Sequence, residues 1–421
     1  MIALAIIVSI ALLAVAVPIF LVFGIGSSIV AVAGLGLPWA TLLQVSLGAM
    51  TKQLLLAIPL FIFAGSVMVR GGMAARLVNL CLSLVGHWRG GLAMAMVLAI
   101  AVFGAFSGSI LAAITAIGTA MMPRMVAEGY PRPFVVILAA TAALVDALIP
   151  PSNAAIIYSS LTDVPISKTF AAGVLPGLVL TAMLMGYVRF RCRHMPPALR
   201  AGWGERRTAL VVALPSLTTP IIILGGIYLG ILTAAESAAF AGIWAMLVGF
   251  AVHRELTLRG LWRALAEAAI GTTIIYAIIA TATFLSVVAT YTRAPQAIIE
   301  YVMGFGATPT TFMLALALVC LILGTFIEVV PIFYLVIPMT LGLATALQVD
   351  LIHLYIVFSA FVGLGLLTPP VCVGVYTASA VIQEPPERCF RELPGFLAVG
   401  IAYGLIMILV PKIATWLPGF L

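Results

Sequence analysis

Apolar residues run along this chain in blocks longer than the buried face of an ordinary amphipathic helix. Residues 2–23, 172–188, 209–232, 234–252, 268–289 and 396–411 carry no or almost no charge. Each covers roughly 17–23 positions, the length a helix needs to cross ~30 Å of hydrocarbon. A bilayer interior offers backbone amides no water, and runs this long suit helices rather than the short alternating strands of a membrane barrel. The run 2–23 lacks a basic leading segment and no soluble stretch follows it, so it is expected to be the first transmembrane helix, not an export signal.

Composition agrees with the pattern. Hydrophobic residues make up 64% of the chain and charged ones 8%, against about one quarter charged in a soluble domain. No polar stretch is long enough for a soluble domain, so residues 1–421 read as a single all-α, polytopic membrane domain. The formal charge of +7 does not signal nucleic acid, because it concentrates in one loop, Arg189, Arg191, Arg193, Arg200, Arg206 and Arg207, with only Glu205 against it. Such a loop between apolar helices marks the cytoplasmic side and suits anionic lipid. From there, 209–232 leads out and 234–252 returns to His253, Arg254, Arg259 and Arg263, again basic. Segment 253–266 is expected to lie along the interface as an amphipathic helix. The five cysteines are scattered without a CxxC pair and read as small core fillers.

An internal repeat is visible. Gly104-Ala105-Phe106 recurs as Gly324-Thr325-Phe326 at an offset of 220, Ile149-Pro150-Pro151-Ser152 as Thr368-Pro369-Pro370-Val371 at 219, and Pro176-Gly177 as Pro394-Gly395 at 218. Threading starts the 92–130 segment on the basic side and its partner, roughly 310–347, on the other, with Arg293 the one dissenting charge. The expectation is an inverted-topology repeat, 1–200 and 201–421, as in many secondary transporters.

Both copies contain helix breakers. Phe106-Ser107-Gly108-Ser109 places small, backbone-competing residues in an apolar stretch, and Pro150-Pro151 and Pro369-Pro370 cannot sit inside a regular helix. Segments 92–124 and 310–347 are predicted to be re-entrant hairpins, and 133–160 and 352–383 helices broken in mid-membrane. A lone double proline is more simply a kink; a matched pair, each opposite a Gly/Ser/Thr tip, favours a site. Carbonyls freed at such depth persist where they line a cavity or bind a cation. The Ser107–Ser109 tip would face Ile149–Ser152, and the Gly324–Glu328 tip would face Thr368–Val371. Neutral oxygens suit sodium, and helix N-termini favour a carboxylate. Asp146 precedes the first proline pair where the second copy has Gly365, and Glu328 follows the second tip. An ionisable group at this depth is costly and usually functional, here a cation ligand or proton-linked acid. Glu236, by contrast, reads equally as a first-turn capping acid.

These residues resemble the large (M, DctM-like) subunit of a tripartite ATP-independent periplasmic, or TRAP, transporter. The matching segments are Leu56–Met68, Gly104–Ser109 (GAFSGS), Pro123–Tyr130, Ile149–Ser152 (IPPS), Phe170–Gly177, Thr233–Ala239, Gly324–Pro331 (GTFIEVVP) and Leu367–Tyr376 (LTPPVCVGVY). The resemblance implies an elevator-type transporter of the bacterial inner membrane, coupled to sodium ions. It also implies a small four-helix (Q-type) membrane subunit and a periplasmic (P-type) binding protein that delivers an organic anion. Carried over by motif, one sodium site takes Ser107, Gly108, Ser109, Ile149 and Pro151, and the other Gly324, Thr325, Thr368 and Val371. Ser152 and Asn153 are the side chains placed to meet substrate. Three positions depart from the family pattern: Asp146 and Cys372 replace usual glycines, and Glu328 stands where aspartate is frequent.

Two rival readings differ in class. One is a self-sufficient ion-coupled transporter of another inverted-repeat family, needing neither partner. The other is an intramembrane hydrolase, which would need a base near Ser107, yet His87, His194, His253 and His353 all thread near loops. No HExxH or GxxxxGK[ST] motif occurs, which leaves no nucleotide-binding loop and argues against zinc proteolysis or ATP hydrolysis in this chain.

Overall fold

The computed structural model describes residues 1–15, 17–197, 200–304 and 306–421, and the regular elements among them are all helical. The first half runs α1 (Ile2–Ala14), α2 (Ile19–Ser28), α3 (Trp39–Met50), α4 (Ala57–Arg70), α5 (Met73–Val85), α6 (Gly91–Ser107), α7 (Ile110–Ala127), α8 (Arg132–Ala142), α9 (Asn153–Thr162) and α10 (Ile166–Arg191). The second runs α11 (Trp203–Tyr228), α12 (Ala234–Leu247), α13 (Leu258–Tyr291), α14 (Ala294–Gly304), α15 (Pro309–Gly324), α16 (Val329–Ala346), α17 (Leu351–Gly365), α18 (Val373–Ile382), the single turn α19 (Pro386–Cys389), α20 (Leu393–Leu409) and the single turn α21 (Lys412–Thr415). Among the described residues, seven helices are long and apolar enough to cross a bilayer.

Hydrophobicity sorts the helices into layers. In α6, α8 and α17 almost every residue is buried, as expected for helices apolar on all sides at the centre of a bundle. Outside them, α11 and α13 expose Val211, Ile221, Trp262 and Ile270, the surface expected to meet lipid. All five cysteines are buried and free. Glu236 fulfils the capping reading, its carboxylate accepting from the Thr233 N–H at 2.8 Å.

Both predicted hairpins and both broken helices are present. α6 and α7 are separated by Gly108-Ser109, and α15 and α16 by Thr325–Glu328. α8 tightens into a 3-10 turn at Ala143–Ala147 before the first proline pair, and α17 ends at Gly365 before the second. Each proline pair is joined by a cis peptide bond.

Contacts at the helix ends fix the relative direction of the copies. Arg132, opening α8, donates to the Ile382 carbonyl that closes α18, at 3.2 Å. Tyr158, near the end of α9, donates through Oη to the carbonyl of Leu351, which opens α17, at 2.5 Å. One broken helix therefore starts where the other finishes, at both ends. Helices α10 and α20 repeat the relation: Arg191 closes α10 beside Glu392 at the start of α20, 3.0 Å apart. The copies are antiparallel, as the charge threading required.

Two expectations fail. The run 2–23 is not one helix but two: α1 ends at Ala14 and Pro18 caps α2. The proline lacks an amide donor and blocks a continuous helix. α1 folds back on α2, so that a Cβ on Gly26 would strike Ser9 Oγ and one on Gly34 would touch Met1. Segment 253–266 is not a separate interfacial helix either. After a bend at 253–257, Leu258 opens a helix of 34 residues without interruption to Tyr291. Nothing in 258–266 breaks it: Gly260 lies in the first turn, where its N–H is bonded by the Thr257 hydroxyl at 3.0 Å, and no proline follows until Pro295.

Candidate functional site

The first tip rests on the first break. Gly108 turns the chain between α6 and α7 at φ +56°, a conformation glycine adopts without steric penalty. A Cβ there would stand 3.0 Å from the Pro151 carbonyl oxygen. Ser107 Oγ donates to Asp146 Oδ1 at 2.8 Å. Asp146 is fully buried, and neither its Oδ2 nor the buried Oδ1 of Asn153 has a hydrogen-bond partner. Ser152 Oγ donates to the Ala147 carbonyl at 2.7 Å, which also receives Tyr355 Oη from the other copy at 3.3 Å. No described donor reaches the carbonyls of Ile149 or Pro151. The structure thus gathers Ser107, Gly108, Asp146, Pro151 and Asn153. Ser109 flanks them as the residue before α7. The Ile149 side chain points away, toward Gly177 of α10.

The second tip repeats the plan in a more open setting. A Cβ on Gly324 would stand 2.7 Å from Gly365 Cα, and one on Gly104 would stand 2.9 Å from Asp146 Cα. Each tip helix therefore meets its broken helix at the equivalent place, with Asp146 standing where the second copy has Gly365. Val371 N–H donates to the Thr325 carbonyl at 3.1 Å. The Thr325 and Thr368 hydroxyls return their protons to carbonyls of Ile322 and Gly365, at 2.7 and 2.9 Å, and keep lone pairs outward. Glu328 precedes α16 without capping it, is exposed, and makes no described hydrogen bond.

Ser152 and Asn153 beside the first break, and Leu366 and Val373 flanking the second, line one cavity of about 770 Å³. Its wall includes Asp146, Ser152, Asn153 and Glu328, together with the first residues of four helices: Ile110 of α7, Asn153 of α9, Val329 of α16 and Val373 of α18. None of these four N-termini carries a side-chain cap. Thr233, Thr257, Thr308 and Asp350 supply caps, but many other described helix starts also lack one, so what distinguishes α7, α9, α16 and α18 is the shared cavity. Uncapped N–H groups converging on one space form an anion-attracting wall. The same cavity is lined by α4 and α13, through Gly65, Ser66, Arg70, Glu267 and Gly271.

Several of these residues gave no signal in the sequence. Arg70 ends an apolar segment and reads there as an ordinary interface anchor; only the fold pairs it with Glu267, 197 positions away. Gly65 lets α4 approach the tip, since its Cβ would lie 3.2 Å from Ser107 Cα. Gly173 lets α10 approach the break, since its Cβ would lie 1.8 Å from the Leu148 carbonyl oxygen. Nothing in a sequence distinguishes glycines of this kind from spacers.

Known proteins resemble this chain over most of its length. The family described as tripartite ATP-independent periplasmic transporter, DctM component, matches residues 1–413. The C4-dicarboxylate TRAP transporter large permease protein DctM of Pseudomonas aeruginosa is 36% identical over 369 residues, 87% of this chain and 86% of that one. The isethionate TRAP transporter permease protein DctMQ of Oleidesulfovibrio alaskensis is 31% identical over 418 residues, 97% of this chain and 65% of that longer protein. In fold, the Alcanivorax borkumensis YdaH transporter superposes with a TM-score of 0.59 at 14% identity, covering 100% of this chain and 98% of the other. A multi-pass permease subunit, and no enzyme, is what these likenesses describe: the chain belongs to the DctM family of large subunits of tripartite ATP-independent periplasmic transporters.

Proposed function

We propose that this subunit imports a small organic anion across the bacterial inner membrane, driven by sodium. In this reading a periplasmic binding protein delivers the anion and a small four-helix membrane subunit completes the permease. One observation carries the anion: four uncapped helix N-termini open on one cavity. Each helix start is equivalent to roughly half a positive charge, strongest where water is excluded. Relatives named for C4-dicarboxylate and isethionate support the same substrate class, and the fused permease name DctMQ supports the small subunit.

Sodium is assigned to the two tip-and-break junctions. The first offers Ser107, Ser109, Asp146 and the carbonyls of Ile149 and Pro151; the second offers Thr325, Thr368 and the carbonyls of Gly324 and Val371. All these donors are oxygens, which suits a hard cation. Two antiparallel hairpin-and-broken-helix units packed on α4 and α13 support an elevator, in which that body slides past those two helices with its cargo. With ~100 mV across the membrane, each net charge moved inward supplies about 2.3 kcal/mol. Two or more sodium ions could therefore offset an anionic cargo and still drive accumulation.

The test is initial uptake into proteoliposomes holding this chain, its small partner and a loaded binding protein. Replacing sodium by potassium or choline is expected to lower uptake at least tenfold. Unchanged uptake rejects the coupling. Equal uptake without the binding protein returns the self-sufficient alternative.

A further inference from the structure

We infer that Arg70 is the anchor for the substrate's anionic group and that Glu267 holds it in reserve while the cavity is empty of substrate. The inference rests on the anion-transport reading above and deepens it. Arg70 is the one basic side chain among the described residues lining the cavity, whereas Asp146, Glu267 and Glu328 are acidic. Of the four charged side chains in that lining, only Arg70 can meet an anion directly.

The pairing of Arg70 leaves it available. Its Nη2 bonds Glu267 Oε1, and no second oxygen of that carboxylate joins. Its Nε is buried and has no hydrogen-bond partner. An unpaired guanidinium N–H in a desolvated wall is costly, and a planar fork with a free donor matches a carboxylate or sulfonate two-pronged. Glu267 is half exposed, its side chain 54% accessible against 28% for Arg70, so it can swing into the open space when an anion takes its place.

The position adds a mechanical consequence. Arg70 closes α4 and Glu267 belongs to α13, whereas the four helix N-termini lining the same cavity belong to α7, α9, α16 and α18. An anion held by Arg70 and by those N-termini together would tie α4 to the tip and broken helices, the two groups whose relative motion the proposed elevator requires. Release of Glu267 then becomes a signal of occupancy.

The rival explanation is a structural ion pair joining α4 to α13, and a double replacement separates the two. The purified chain with its small partner is heated in sodium buffer with succinate or isethionate, and with succinamide as the uncharged control. Wild type is expected to be stabilised by at least one of the anions and not by succinamide. Arg70→Gln should raise the half-saturating anion concentration at least tenfold, and Arg70→Lys at least threefold, because an ammonium cannot present the fork. Glu267→Gln should lower that concentration. The double variant R70Q/E267Q should remain at least tenfold weaker while half-saturating sodium moves less than twofold. Wild-type anion binding in R70Q/E267Q overturns the assignment of Arg70 and leaves the anion reading intact. Stabilisation of wild type by none of the compounds, or by succinamide as strongly as by succinate, overturns both.

Discussion

Gly365→Val is expected to abolish uptake and to lower the thermal stability of the purified protein by several degrees. A Cβ at position 365 would lie 2.5 Å from Gly324 Cα, 2.8 Å from Gly324 C and 2.7 Å from the Leu321 carbonyl oxygen. All three are backbone atoms, so no side chain can swing aside. Overpacking a tight contact costs about 1–3 kcal/mol even where the surroundings yield, and valine brings two further methyl groups. Helices α15 and α17 must separate, which pulls the Thr325 carbonyl from the Val371 N–H and dissolves the second junction. Gly225→Ala is the control: it also lies inside a long apolar helix, but nothing stands within 4 Å of its Cβ position. Uptake assays and thermal unfolding on both variants decide the matter. Wild-type transport by Gly365→Val means that the second tip does not need its break, and the junction cannot be a coupling site.

That contact explains how the fold could be read from the chain and where reading stopped. Proline pairs and the Gly/Ser/Thr tips act locally, through missing donors and permissive backbone, so Ser107–Ser109 and Thr368–Val371 announced themselves. The offset near 219 survived because both copies solve one local problem, and it placed Asp146 against Gly365 correctly. Direction followed from charge, since basic loops stay on one side. Long-range pairing leaves no such trace. Arg70 and Glu267 occupy ends of apolar segments in which either charge looks like an anchor at the membrane surface. Ser152 lines the cavity and donates its proton to the Ala147 carbonyl, a turn contact visible only once the break has a shape. The failure at 2–23 is of another kind. The apolar length suffices for one span, but nothing in the residues around Pro18 signals that α1 folds back on α2.

Asp146→Gly is expected to weaken sodium binding at least tenfold while making the sodium-free protein more heat-stable. The two effects have one origin. Asp146 is wholly buried and Ser107 satisfies only one of its oxygens, and a buried carboxylate short of partners destabilises any state that holds it. A sodium ion at the junction supplies the missing partner, so sodium should raise the melting temperature of the wild type more than that of the variant. Tenfold in affinity corresponds to about 1.4 kcal/mol. Glycine is tolerated sterically, because the second copy places Gly365 against its own tip in the same way. Its greater backbone freedom costs up to about 1 kcal/mol, which works against the predicted gain in stability. Asp146→Asn therefore accompanies it: the amide keeps the volume and drops the charge, and should show the same loss of sodium affinity. Melting curves over a sodium titration give both quantities at once. Should either variant melt lower without sodium while its half-saturating concentration stays within twofold of wild type, the carboxylate is a packing element tied to Ser107. The first junction would then have to hold its cation on neutral oxygens alone, as is proposed for the second.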